Sequence, residues 1–141
     1  MQTARECLEE LLEEADSLPP RQRLEWLVEF GDELPAPNGD AGELQRLPEC
    51  QSPVSWAARV DGDRYLLAVT APPSALVVRG FAGLVVPVLD TRPVEEVRAV
   101  PADLVDRLNL SGTVSELRLN GLRALWSKAV SYTHLRAHET L

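Results

Sequence analysis

Residues 74–89 constrain this chain more than any other stretch. Leu76, Val77, Val78, Phe81, Ala82, Leu84, Val85, Val86, Val88 and Leu89 leave almost no polar face on any projection. The run exceeds normal strand length, so it reads as a central helix buried on nearly all sides. Such a helix survives in water only if the rest of the chain wraps it. Its β-branched residues and Pro87 oppose a helix, and Pro87 is expected to kink or end it. Gly80 and Gly83 would allow a neighbouring backbone to approach closely. The longest apolar run, Gly80 to Leu89, is about half of the ~20 residues that a membrane span needs. No membrane partner is expected.

The wrapping elements are legible on both sides. Residues 3–16 read as an amphipathic helix with Leu8, Leu11, Leu12 and Ala15 on one face and carboxylates around them. Thr3 followed by Glu6 matches a capping box. Cys7 lies beside the apolar stripe and reads as packing. Pro19 and Pro20 end this helix and start the next, since proline is tolerated in a first turn. Residues 20–33 carry Leu24, Leu27 and Val28 on one face with Trp26 and Phe30 at its edges, giving an antiparallel helical hairpin. Residues 34–46 are rich in breakers and read as loop. Val54–Val60 and Tyr65–Thr70 read as strands joined by a tight turn at Asp61-Gly62-Asp63. Residues 44–48 supply a short third strand. Short proline-led helices are expected at 92–97 and 101–108. A last helix is expected over 116–129, with Ser115 as N-cap and Leu119, Leu122, Trp126 and Ala129 facing inward.

This pattern predicts one α+β domain over residues 1–130, with helices packed on a small antiparallel three-stranded sheet. Residues 131–141 change character and resemble translated sequencing-adapter read-through, so they are expected to be a non-native, irregular tail. Both histidines, His134 and His138, fall there. Their spacing suits half a metal site, but no third ligand is placed with them, so no metal is expected.

Charge and cysteine usage narrow the function. The net charge is −8, from 22 acidic and 14 basic residues. That argues against general nucleic-acid binding, which needs a basic patch to displace counterions. Cys7 and Cys50 are far apart, which suggests neither a disulfide framework nor a zinc knuckle. No secretory signal opens the chain, and a cytoplasmic, reduced protein is expected.

The stretch Leu47-Pro48-Glu49-Cys50-Gln51-Ser52-Pro53 holds the one chemically promising group. Each proline fixes its own φ and pushes the preceding residue out of the helical region, so Cys50 sits on a stiff loop. Buried packing is the alternative role for such a cysteine. Outside the tail there is no histidine, so a thiol-dependent hydrolase lacks its base. Phosphate-cradling glycine motifs are absent. An iron–sulfur scaffold needs several convergent soft ligands. Thiol exchange needs only a thiolate, an electrophilic sulfur and access. Glu49 should disfavour the thiolate and Arg46 favour it.

Four segments resemble the SufE family in the same order. Glu49-Cys50-Gln51-Ser52-Pro53-Val54 resembles its Cys-Gln-Ser active-site segment. Gly31-Asp32-Glu33-Leu34-Pro35 matches its Gly-x-x-Leu-Pro. Ala71 to Gly83 resembles the opening of its central helix. Ser115-Glu116-Leu117-Arg118-Leu119-Asn120-Gly121-Leu122 resembles the opening of its last helix. Glu-Cys-Gln-Ser-Pro and Ala-Pro-Pro resemble a distinct branch. The resemblance implies a SufE/NifU-like fold and a sulfur carrier rather than an enzyme, with no cofactor of its own. Its partners would be a SufS- or CsdA-like cysteine desulfurase, which carries pyridoxal phosphate, and an iron–sulfur scaffold complex. Cys50 would take persulfide sulfur; Glu49, Gln51, Ser52 and Pro53 would support the loop; Arg118 and Arg79 would lie on the docking surface. A scaffold of related fold and a pure interaction module remain as alternatives.

Overall fold

A computed structural model describes the backbone of residues 2–139 and the side chains of residues 2–131. Helix α1 (Ala4–Asp16) is capped by Thr3, whose hydroxyl accepts from the Glu6 N–H while the Glu6 carboxylate accepts from the Thr3 N–H. The capping box read from Thr3 and Glu6 is therefore present. Helix α2 (Pro20–Glu29) starts on its proline, and its last turn tightens into a 3₁₀ turn at Phe30–Glu33. The predicted single helix over 20–33 is thus divided at Phe30.

Strands β1 (Gln45–Arg46), β2 (Ser55–Asp61) and β3 (Arg64–Thr70) form one antiparallel sheet in the order β1-β2-β3. Asp61 pairs with Arg64, so Gly62 and Asp63 make a two-residue turn, with Gly62 at φ 63°. That positive φ is where glycine is required. Tyr65, Leu67 and Val69 alternate inward along β3. Its outer edge is occupied: the Tyr65 N–H donates to the Arg92 carbonyl, the Thr91 N–H to the Tyr65 carbonyl, and the Leu67 N–H to Asp90 Oδ1. The third strand is shorter than the predicted 44–48, because only Gln45 and Arg46 find partners on β2.

Helix α3 (Leu76–Leu89) is the centre of the molecule and packs against α1, α2, the 3₁₀ turn, β3 and α6 (Glu116–Glu139). Phe81, Leu84, Val85, Val86 and Leu89 are buried, each worth roughly 1.5–3 kcal/mol relative to exposure. A Cβ on Gly80 would overlap the Leu27 carbonyl oxygen, and one on Gly83 would overlap that of Phe30. Pro87 falls in the last turn, and the helix ends at Leu89 with the Asp90 N–H on the Val86 carbonyl.

Helices α4 (Val94–Arg98) and α5 (Leu104–Arg107) lead into α6. Helix α5 is shorter than the predicted 101–108. Ser115 accepts from the Arg118 N–H and caps α6 as read. Trp126 on α6 stacks edge-on against Phe81 and donates to the Pro101 carbonyl. The Tyr65 hydroxyl donates to the Ala129 carbonyl, tying β3 to α6. The α6 backbone continues to Glu139, past the predicted end at 129 and through most of the segment read as irregular. Leu135, Arg136, Ala137 and Glu139 favour helix and no glycine or proline intervenes. Side chains after Ser131, including His134 and His138, lie outside the described residues, as do Thr140 and Leu141.

One buried residue departs from the pattern. Leu24 and Val28 are half-buried, while Arg23 on the same helix is only 7% exposed. Arg23 donates to the carbonyls of Ala15 (2.8 Å), Leu18 (2.8 Å) and Asn109 (2.9 Å). These lie at or just past the C-terminal ends of α1 and α5, where helix carbonyls have spare acceptor capacity. Arg23→Ala should lower stability by on the order of 3 kcal/mol, since hydrogen bonds to charged groups are worth about 1.5–3 kcal/mol each. Gly83→Ala should cost about 3 kcal/mol despite alanine's better helix propensity, because the methyl meets backbone. Urea denaturation of both variants checks these values.

Candidate functional site

The loop carrying Cys50 is closed at its base by backbone bonds. The Leu47 N–H donates to the Val54 carbonyl at 2.8 Å, and the Cys50 N–H donates to the Leu47 carbonyl at 3.2 Å. Leu47 and Val54 are fully buried, so residues 48–53 stand between two apolar feet. Pro48 and Pro53 are exposed on its flanks. The sequence logic is local: prolines cannot extend the sheet, and the leucine and valine on either side drive the ends of the loop into the core.

Cys50 is half-buried and lines a cavity of about 510 Å³. The walls come from three elements. The loop gives Glu49, Cys50, Gln51 and Ser52. The start of α3 gives Ser74 to Val78. The start of α6 gives Ser115, Leu117, Arg118, Gly121 and Leu122. Gly121 lies directly behind the thiol: a Cβ there would stand 2.9 Å from Cys50 Sγ and 3.7 Å from the Glu49 carbonyl oxygen. Leu76 (56% exposed) and Leu117 (54% exposed) form an apolar rim.

Burial pushes the Cys50 thiol above its ordinary pKa, and the Glu49 carboxylate pushes it further; Arg46 acts in the opposite sense. The two charge effects have the signs read from the sequence, but burial is the larger cause and was not legible there. At neutral pH the resting group is therefore a thiol. Among the described residues, no histidine lines the cavity. Nor, among the described residues, is any group of three His, Cys, Asp or Glu arranged to hold a metal ion, and no helix is long and apolar enough to cross a membrane.

Of the residues singled out in the sequence, Glu49, Cys50, Gln51, Ser52 and Arg118 converge on the cavity. Glu49 also lies 3.8 Å from Lys128 on α6. Pro53 and Arg79 are not among its lining residues. Arg79 donates to the Ala71 carbonyl at 2.7 Å and lays its stem along Gly31. Leu76, expected inside the buried run of α3, is instead exposed, because it stands in the first turn, where the cavity opens. Sequence reading gives no role to Lys128 and marks Leu117 and Gly121 only as part of the segment resembling the family's last helix; Gly121 is also a poor helix former inside a predicted helix.

Helices, sheet and cavity define a small α+β protein that offers one half-sheltered thiol from a closed loop. A family model described as SufE, Fe–S metabolism associated domain, matches residues 9–133. Two uncharacterised SufE-like proteins of Mycobacterium tuberculosis, from strains CDC 1551 / Oshkosh and ATCC 25618 / H37Rv, are each 34% identical over 124 residues, covering 86% of this chain and 87% of theirs. The solution structure of a hypothetical protein from Thermus thermophilus superposes with a TM-score of 0.77 at 31% identity, covering 96% of this chain and 97% of that one. The chain belongs to the SufE family, and its role lies in Fe–S metabolism.

Glu49→Gln should make Cys50 more reactive. Removing the neighbouring carboxylate stabilises the thiolate, lowers the thiol pKa and raises the anionic fraction at neutral pH. Arg46→Ala should act oppositely. Iodoacetamide labelling of Cys50 across pH, at low and high salt, measures both; the charge effects should shrink in high salt.

Proposed function

We propose that this protein accepts sulfur on Cys50 from a cysteine desulfurase and delivers it to iron–sulfur cluster assembly, stimulating the desulfurase as it does so. The observation that carries this reading is that, among the described residues, Cys50 is the one thiol lining the cavity, on a short loop closed at its base by the Leu47–Val54 backbone bond. Cys7 stands elsewhere, contacting Gln2 and Arg92.

The chemistry is thiol exchange on a persulfide. The Cys50 sulfur attacks the outer sulfur of the desulfurase's cysteine persulfide. A new S–S bond forms at Cys50 while the donor's S–S bond breaks, and the donor cysteine leaves as a thiolate. The proton lost by Cys50 ends on that leaving thiolate. The pair as a whole is neither oxidised nor reduced, and no metal or cofactor of this chain is needed. Because the resting thiol is protonated and sheltered, the docked enzyme supplies activation and draws the loop outward. Leu76, Leu117 and Arg118 give the rim an apolar surface with a cation beside it, suited to such docking.

Incubating the protein with a desulfurase, pyridoxal phosphate and cysteine should add one or more sulfur atoms to Cys50, read by intact mass. Cys50→Ala should neither gain sulfur nor accelerate cysteine turnover. A wild-type chain that stays unmodified, or a Cys50→Ala chain that stimulates equally, would show that Cys50 is not the acceptor.

A further inference from the structure

We propose that Gly121 on α6 is the seat of the Cys50 thiol: the sulfur rests in the volume that a side chain at position 121 would fill, so this residue sets where the thiol waits.

The geometry is specific. A Cβ at 121 would come within 2.9 Å of Cys50 Sγ, closer than real Cβ atoms come to any neighbour, whereas the Glu49 carbonyl oxygen would be at an ordinary 3.7 Å. The other crowded helical glycines differ. Gly80 and Gly83 face backbone that cannot yield, while Gly121 faces the tip of a side chain with one rotatable bond. A methyl at 121 would therefore be relieved by turning Cys50 out of the cavity rather than by breaking the helix packing. Gly121 is itself buried, with Leu122 and Leu125 beside it, so the seat is held by rigid core. The seat is a positioning device, because glycine touches no reacting group except the waiting sulfur.

Turning outward changes the thiol's surroundings. Inside, burial holds the proton on. The charged groups around it are Glu49 on the loop, Arg46 on β1, and Arg118 and Lys128 on α6. Helix α3 presents Leu76, Val77 and Val78, and its Arg79 is engaged with Ala71. Moving the sulfur into water removes the burial penalty while these charges stay nearby. The meaning of the seat rests on reading Cys50 as the sulfur acceptor; its existence does not, and it is tested on the chain alone.

Gly121→Ala should stay folded by circular dichroism. Its Cys50 should react with iodoacetamide on the order of tenfold faster at neutral pH, with the midpoint of the rate–pH curve shifted down. Cys7, followed by peptide mass spectrometry in the same samples, should react as in wild type. A folded Gly121→Ala whose Cys50 keeps the wild-type rate and midpoint overturns the proposal. If Gly121→Ala fails to fold, the double variant Gly121→Ala/Cys50→Ala decides. Recovery of the folded state shows that methyl and sulfur compete for one volume; failure to recover means that the methyl strikes something other than the thiol, and the proposal falls. A chain that passes these tests but takes no sulfur from a desulfurase would retain the seat and lose the acceptor function.

Discussion

The backbone of α3 lies against the carbonyl groups of Leu27 and Phe30 with no room for a side chain at Gly80 or Gly83. This contact fixes the depth at which α3 enters the molecule. The first turn of α3 forms one cavity wall, so the same contact places Leu76, Val77 and Val78 beside the loop. On the opposite side, Trp126 against Phe81 sets the position of α6, which supplies the other wall. Interiors packed at this density respond to a single methyl. The cavity is thus a product of helix packing, and the Cys50 loop is set across it between the buried Leu47 and Val54.

Shelter and reactivity pull in opposite directions at Cys50. The thiolate is the nucleophile, and it is also the form that oxidises. Burial and Glu49 both favour the neutral thiol, and Arg46 only partly offsets them. The resting state therefore protects the sulfur. A permanently exposed thiolate would be faster with every electrophile, correct or not. In the resting geometry the sulfur is thus held in its less reactive form.

Local features of the fold were legible in the sequence because they depend on neighbours along the chain. The capping box at Thr3 and Glu6, the proline start of α2, the alternation in β3 and the buried character of α3 all follow from short-range rules. The close approach at Gly80 and Gly83 was readable as a permission, though not the carbonyls that use it. What escaped depends on tertiary partners. Arg23 looks like a surface residue until the ends of α1 and α5 meet around its guanidinium. Arg79 and Arg118 look equivalent in the sequence, but one is engaged by the Ala71 carbonyl and the other lines the cavity. Cys50 stood out by its prolines, and Glu49, Gln51, Ser52 and Arg118 do meet it at the cavity; Gly121, far along the chain, could be matched to the sulfur only once α6 was in place.

The treatment of the sheet margins has a colloidal consequence. On the outer side of β3, the Tyr65 and Leu67 amides donate to the Arg92 carbonyl and to Asp90, which interrupts the edge a second molecule would copy. The opposite margin, β1, is only two residues long and carries a glutamine and an arginine. A margin so short and polar is a poor template for strand-by-strand association. Among the described residues, neither margin therefore presents the long open edge from which fibrous self-assembly grows.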